Sequence, residues 1–302
     1  MSTAPWLRRG MPWVFVLIWS TGFIVARYGM PYAPPLKFLC LRYAFSLALL
    51  LPLARWLRAP WPQGWRQRVH LAVVGVLMQA GYLGGVWAAV KHGIPAGTVA
   101  LIVGLQPLLT AVLVSAGGQR IHARQWLGLL LGFGGLSLVV WHKLEGGQLS
   151  VHNLLLALLA LGSITAGTLW QKRFVAPTSV WGALAVQLLA ALALSAPFAL
   201  LETEPVIWNG QLIGALAWSV LALTVGAGAL LYLLIQRGAA VQVTSLIYWV
   251  PPVTALMGWA LFAETLGVAT WLGMALVATG VVAVTRNPAR PAAVVQRSGD
   301  AS

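Results

Sequence analysis

Ten apolar runs, each near the ~20 residues a helix needs to cross a bilayer, leave this chain few folds to choose from. They cover about 12–30, 35–55, 69–90, 96–116 and 125–141, then 153–171, 178–200, 211–236, 241–262 and 267–285. Barrel strands cross in about 9–11 alternating residues, and these runs are longer and continuous. Open strands would leave unpaired backbone groups facing lipid, so the runs read as helices. Hydrophobic side chains make up 60 % of the 302 residues and charged ones 8 %. The carboxylates are Glu145, Glu202, Glu204, Glu264 and Asp300, too few for a soluble surface. A soluble enzyme, a disordered chain and a secreted disulfide scaffold are thereby excluded, the last because Cys40 is the only cysteine. The net charge of +14 does not point to nucleic acid, because the cations lie in short clusters between apolar runs. The first run is not expected to be a cleaved leader, since no small-residue cleavage site follows it and nine more runs do.

Lysine and arginine placement sets the orientation. Alternate connections, from Arg8 and Arg9 through Arg55–Arg68, Arg120, Arg124, Lys172, Arg173 and Arg237 to Arg286–Arg297, carry 14 of the 19 cations. The opposite connections hold Lys91, Lys143 and all four glutamates. Both termini are therefore expected in the cytoplasm, as an even number of spans requires. The chain also repeats itself at a shift of 145 residues without a gap. Gly22 meets Gly167, Pro52 meets Pro197, Gly81 meets Gly226, Pro107 meets Pro252, Trp126 meets Trp271 and Gly135 meets Gly280. Each half holds five runs. Five is odd, so the second half enters the membrane from the other side. Such inverted repeats belong to secondary transporters whose site lies at midplane between the halves. The expected fold is all-α and integral to the membrane, with ten transmembrane helices as two inverted-topology five-helix repeats. Residues 1–150 and 151–286 are the two units, and 287–302 reads as a disordered cytoplasmic tail.

The strings W-S-T-G-F at 19–23, A-P-P-L-x-F with L-R-Y at 33–43, L-Q-P-L-L-T at 105–110, W-V-P-P-V-T at 249–254 and A-E-T-L at 263–266 resemble the EamA branch of the drug/metabolite transporter superfamily. The resemblance runs from about residue 12 to 286. It implies export of amino acids or small metabolites across a bacterial inner membrane. It also implies a central cavity among spans 1, 3, 4, 6, 8 and 9. The sequence departs from the family at Gln119, where the second half has Glu264, which speaks against a symmetric carboxylate pair.

The duplicated prolines are the firmest local feature. Proline removes one helical hydrogen bond and frees the carbonyl four residues back. Pro107, Pro251 and Pro252 are accordingly read as hinges. Trp19, Gln79, Tyr82, Trp87, Gln106, Thr224, Tyr232, Tyr248 and Trp249 are the candidate substrate contacts. Gln79 maps onto Thr224 and Trp87 onto Tyr232, so both halves offer a polar group and a ring at related depths. Interhelical hydrogen bonding is the competing use for the glutamines and threonines. Arg27 and Lys172 are read as cations at the two mouths, against snorkelling as the plainer alternative. Arg42 is assigned to helix-end carbonyls. Trp13, Trp56, Trp61, Trp65, Trp126, Trp141, Trp181, Trp208 and Trp271 are read as interfacial anchors. The glycines at 128, 132 and 273 are expected to pack within each half.

No carboxylate falls at mid-depth of a run, no histidine does either, and there is no phosphate-binding loop or metal-binding acid cluster. Catalysis, a metal and a cofactor are therefore not expected, nor is tight proton coupling. The expected partners are a small-molecule substrate and membrane lipid, with no nucleic acid, and a monomer is assumed. Uptake of a vitamin-like aromatic metabolite is the alternative carrier reading. A lipid-handling membrane protein is the alternative outside that class.

Overall fold

A computed structural model describes residues 5–116, 123–145, 150–227, 230, 249–264 and 267–285. Among them no strand occurs, and helices take up the apolar runs. In chain order these are α1 (Pro5–Gly29), α2 (Pro35–Trp56), α3 (Trp65–Lys91), α4 (Ala96–Val103), α5 (Gln106–Ala116), α6 (Ala123–Glu145), α7 (Val151–Phe174), α8 (Val180–Leu201), α9 (Gly210–Gly226), α10 (Val250–Phe262) and α11 (Val268–Thr285). Five stretches are long and apolar enough to cross a membrane: α2, α3, Ala96–Leu113, α7 and α8. Shorter apolar stretches accompany them in α1, α6, α9, α10 and α11. Helix is the form a single apolar run takes in lipid, because it satisfies its backbone groups internally.

The helix ends follow local chemistry. Pro35 opens α2 where its missing N–H is not needed. Asn209 and Ser150 cap α9 and α7 by accepting from the N–H groups of Leu212 and Asn153. Gly93 ends α3 at φ 95°. Its N–H donates to Val90 O and that of Ile94 donates to Ala89 O, a closure that needs a residue in the left-handed region.

Two departures from regular helix were not expected from periodicity. The run 96–116 is broken at Gly104–Leu105, so it forms two helices. Residues Val76–Leu83 of α3 and Ser219–Gly226 of α9 are π-helical. The two π stretches nearly coincide under the 145-residue shift.

Lipid tails are as apolar as leucine, so helices in a membrane associate through close packing rather than burial from water. Helix α6 lies along α11, α2 along α8, α4 along α10, and the π stretch of α3 along α7. Small residues make the α6–α11 approach possible. A Cβ on Gly135 would stand 2.6 Å from the carbonyl oxygen of Gly273, and one on Gly280 would run into Gly128 and Gly132. This corrects the expectation that these glycines pack within each half: they join one half to the other. Gly135 corresponds to Gly280 and Gly128 to Gly273, so the two contacts exchange under the shift.

Candidate functional site

Helices of both halves surround a cavity of about 560 Å³. Its walls carry Trp19 and Phe23 from α1, Gln79, Tyr82 and Trp87 from α3, Gln187 from α8, and Thr224 from α9. The lining is mainly apolar and aromatic with a few polar groups, the usual make-up of a small-molecule site. Both π stretches face it. The wider π turn re-aims side chains and is concentrated at functional sites. In α9 it also occupies the hydroxyl of Thr224, which donates to Ser219 O at 3.0 Å and lies 3.3 Å from the Ser46 hydroxyl. On α3, the Tyr43 hydroxyl donates to Gln79 O at 2.6 Å.

The cavity reaches one end of the bundle, where Gln171, Lys172 and the connection 175–178 line it. Gln171, Lys172, Ala176 and Pro177 are exposed there. At the other end the connections are tied together. Lys91 pairs with Glu204 and donates to Met30 O at 3.1 Å. Lys37 Nζ donates to Glu204 O at 2.8 Å. The Glu202 carboxylate accepts from the N–H groups of Leu36 and Lys37 at 2.9 and 2.8 Å, at the start of α2. Glu264 Oε1 accepts from Ala96 N at 3.1 Å, at the start of α4. Ile207 N donates to Tyr32 O at 2.8 Å, and Tyr32 Oη donates to Gln211 Oε1. Helix starts collect unpaired N–H groups and favour negative charge, which accounts for where Glu202 and Glu264 stand.

A smaller cavity of about 70 Å³ adjoins the first and shares Trp19, Phe23 and Tyr82 with it. Gln106, Pro107, Pro251 and Pro252 line this one. Gln106 Nε2 donates to Thr168 Oγ1 at 2.8 Å, so its amide is engaged between helices. Pro107 stands in the first turn of α5, after the break at Gly104–Leu105, and Pro251 and Pro252 stand in the first turn of α10. In that position the missing N–H disturbs nothing.

The structure thus brings Trp19, Gln79, Tyr82, Trp87, Thr224 and Lys172 to the large cavity, and Gln106 and the three prolines to the small one. Tyr232 and Tyr248 lie outside the described residues. Trp249 lines neither of these two cavities, is 51 % exposed and packs on Trp13 with centroids 5.9 Å apart. It caps the start of α10 while Val250 and Pro251 take the buried face, so its ring is turned outward. Arg27 also lines neither cavity; its guanidinium is 5.9 Å from the Phe262 ring centroid. Trp181 is buried at 9 % exposure, not an interfacial anchor.

Arg42 is the residue that sequence reasoning misplaced. It is 7 % exposed, lines the large cavity, and has no carbonyl or carboxylate partner among the described residues. Its position two turns inside an apolar run was the available clue, since an ionisable residue in a span is by default functional.

Comparison with known proteins places the chain. The sequence profile of the EamA-like transporter family matches twice, at residues 9–141 and 153–286. The uncharacterized inner membrane transporter YedA of Escherichia coli K12 is 28 % identical over 291 residues, covering 93 % of each chain. The uncharacterized transporter YvbV of Bacillus subtilis is 25 % identical, covering 93 % of this chain and 92 % of its own. A probable amino-acid metabolite efflux pump of E. coli K12 is 23 % identical, with 88 % and 90 % covered. A crystal structure superposes at a TM-score of 0.63 with 22 % identity, covering 91 % of this chain and 96 % of that one; it shares the fold. Two profile matches spanning most of the chain, with transporters as relatives, show that the protein is a member of the EamA-like transporter family and not an enzyme.

Proposed function

We propose that the chain is a ten-helix secondary transporter of the bacterial inner membrane, built from two inverted five-helix repeats. It exports an amino acid or a related small metabolite by alternating access and works as a monomer with both termini in the cytoplasm. One observation carries this reading: the cavity lies between the halves, reaches the exposed Lys172 end and is sealed at the Glu204 end. By the lysine and arginine bias, the Lys172 end is cytoplasmic. The conformation then corresponds to a carrier ready to load from inside. The exchange of glycine contacts between α6 and α11 under the repeat shift supports the inverted pair. Swapping the conformations of two such halves would seal the inner end and open the outer one. The amino-acid class rests on the efflux-pump relative, together with a cavity that pairs ring faces with amide and hydroxyl groups.

Three of the five carboxylates are engaged at the sealed end (Glu202, Glu204 and Glu264), away from the cavity walls. Purified protein in liposomes is therefore expected to exchange labelled amino acid across the bilayer without an imposed pH gradient. Exchange no faster than in empty liposomes across the twenty amino acids contradicts the substrate class. A strict need for the gradient, removed by Glu264→Gln, contradicts the coupling.

A further inference from the structure

We propose that Arg42 is the anchor for a substrate carboxylate, so that the cargo is a monoanionic acid or a zwitterion held by its acid end. The proposal deepens the carrier reading of the cavity and rests on it. Arg42 lies about 10 Å along α2 from Pro35, at ~1.5 Å per residue, and Pro35 itself stands at the sealed end. Trp87, one turn before the end of α3, lies beside it, with the guanidinium 5.7 Å from the ring centroid. Both side chains line the cavity, deep in it as seen from Lys172.

Both also carry unused donors. Arg42 Nε and Trp87 Nε1 are buried without a hydrogen-bond partner. Arg42 is 7 % exposed and Trp87 1 %. A buried guanidinium is costly unless an opposite charge or acceptors satisfy it. Nothing on the described chain does so. Glu202, Glu204 and Glu264 are occupied at helix starts and with Lys91. The Trp87 ring offers its face to the cation but no acceptor. The missing partner is therefore an acceptor that arrives through the cavity.

The chemistry of that acceptor is narrow. A guanidinium presents a planar fork that matches a carboxylate with two parallel hydrogen bonds. The indole N–H of Trp87 adds a third donor. One buried cation balances one negative charge, so a phosphate dianion would stay half compensated. A neutral amide would leave the cation unpaired. The rings of Trp19 and Tyr82, farther along the wall, suit the apolar remainder of the molecule.

The test is binding to the purified full-length protein in detergent, read as a shift of the melting temperature across concentration series. Phenylacetate, 3-phenylpropionate and phenylalanine are the carboxylate probes. Phenylacetamide and phenethylamine lack the anion, and phenyl phosphate carries the dianion. Phenylacetate and at least one other carboxylate are expected to stabilise wild-type protein, and the amide and the amine are not. Phenyl phosphate is expected to bind at least about tenfold more weakly than phenylacetate, about 1.4 kcal/mol. Arg42→Lys, which keeps the charge and loses the fork, should weaken phenylacetate about tenfold or more. Arg42→Gln should abolish its shift while raising the melting temperature of the ligand-free protein, because a buried unpaired charge is gone.

Equal stabilisation by phenylacetate and phenylacetamide in wild type overturns the proposal, and that comparison needs no variant. So does the absence of a shift with every carboxylate, tighter binding of phenyl phosphate, or retained phenylacetate binding in Arg42→Gln. Amino-acid transport and this site fail separately. Simple acids binding through Arg42 while no amino acid is exchanged removes only the amino-acid reading. Amino-acid exchange that ignores Arg42→Gln removes only the carboxylate anchor.

Discussion

Side chains of one type divide here by the direction their helix gives them. Trp19 lines both cavities and sits 5.5 Å from Phe15 by ring centroids. Trp249 stands beside Pro251, a lining residue of the small cavity, yet faces away from it. Trp208 is 57 % exposed in the connection before α9. Trp19→Ala is therefore expected to cut transport at least about tenfold, the effect of losing about 1.4 kcal/mol of binding, at equal amounts of folded protein. Trp249→Ala and Trp208→Ala are expected to transport near the wild-type rate. Initial rates in liposomes, normalised to reconstituted protein, decide the matter. The residue types and their depth were legible in the chain, because the repeat pairs Gln79 with Thr224 and both face one cavity. Which way Trp249 points was not, because the turn of a helix start fixes that direction. Nearness to a helix end suggests a carbonyl partner for Arg42, but no carbonyl among the described residues accepts from its Nε.

Helices were the most legible elements, because a long apolar run in lipid has no other way to satisfy its backbone. Their irregularities were hidden for a physical reason. A π stretch or a two-residue break changes the phase of a helix without changing its composition, so Val76–Leu83 and Gly104–Leu105 look like any apolar sequence. Glycine spacing, likewise, tells where another helix can come close but not which one. The α6–α11 seam shows this: Gly128, Gly132 and Gly135 meet Gly273 and Gly280 from the other half. Gly135→Val is expected to lower the melting temperature and the yield of folded protein, since overpacking a tight contact costs about 1–3 kcal/mol. Gly134→Val is the comparison, as a Cβ there meets nothing within 4 Å. Equal stability of the two variants, measured by melting in detergent, would show that the seam is not tightly packed.

At the scale of the whole molecule, charge is divided by task. The carboxylates Glu202, Glu204 and Glu264 hold the connections of one end against helix starts and Lys91. The cations Lys172 and Arg173 stand at the open end, and Arg42 lies between the two ends, beside the Trp87 ring and with its Nε unpartnered among the described residues. These polar contacts join the connections over a buried apolar layer that includes Met30, Phe38, Val90 and Ile94. The central claim is that the two halves are inverted and that the cavity loads from the cytoplasm. Its most direct test is labelling by a membrane-impermeant thiol reagent on intact cells, after Cys40→Ser removes the natural cysteine. Single cysteines are placed by Gly146→Cys, Arg120→Cys and, on the cavity wall, Ala183→Cys. The account predicts that the first labels from outside, and that the other two label only in inside-out vesicles. Labelling of the first two from the same side, or of Ala183→Cys from outside alone, would contradict it.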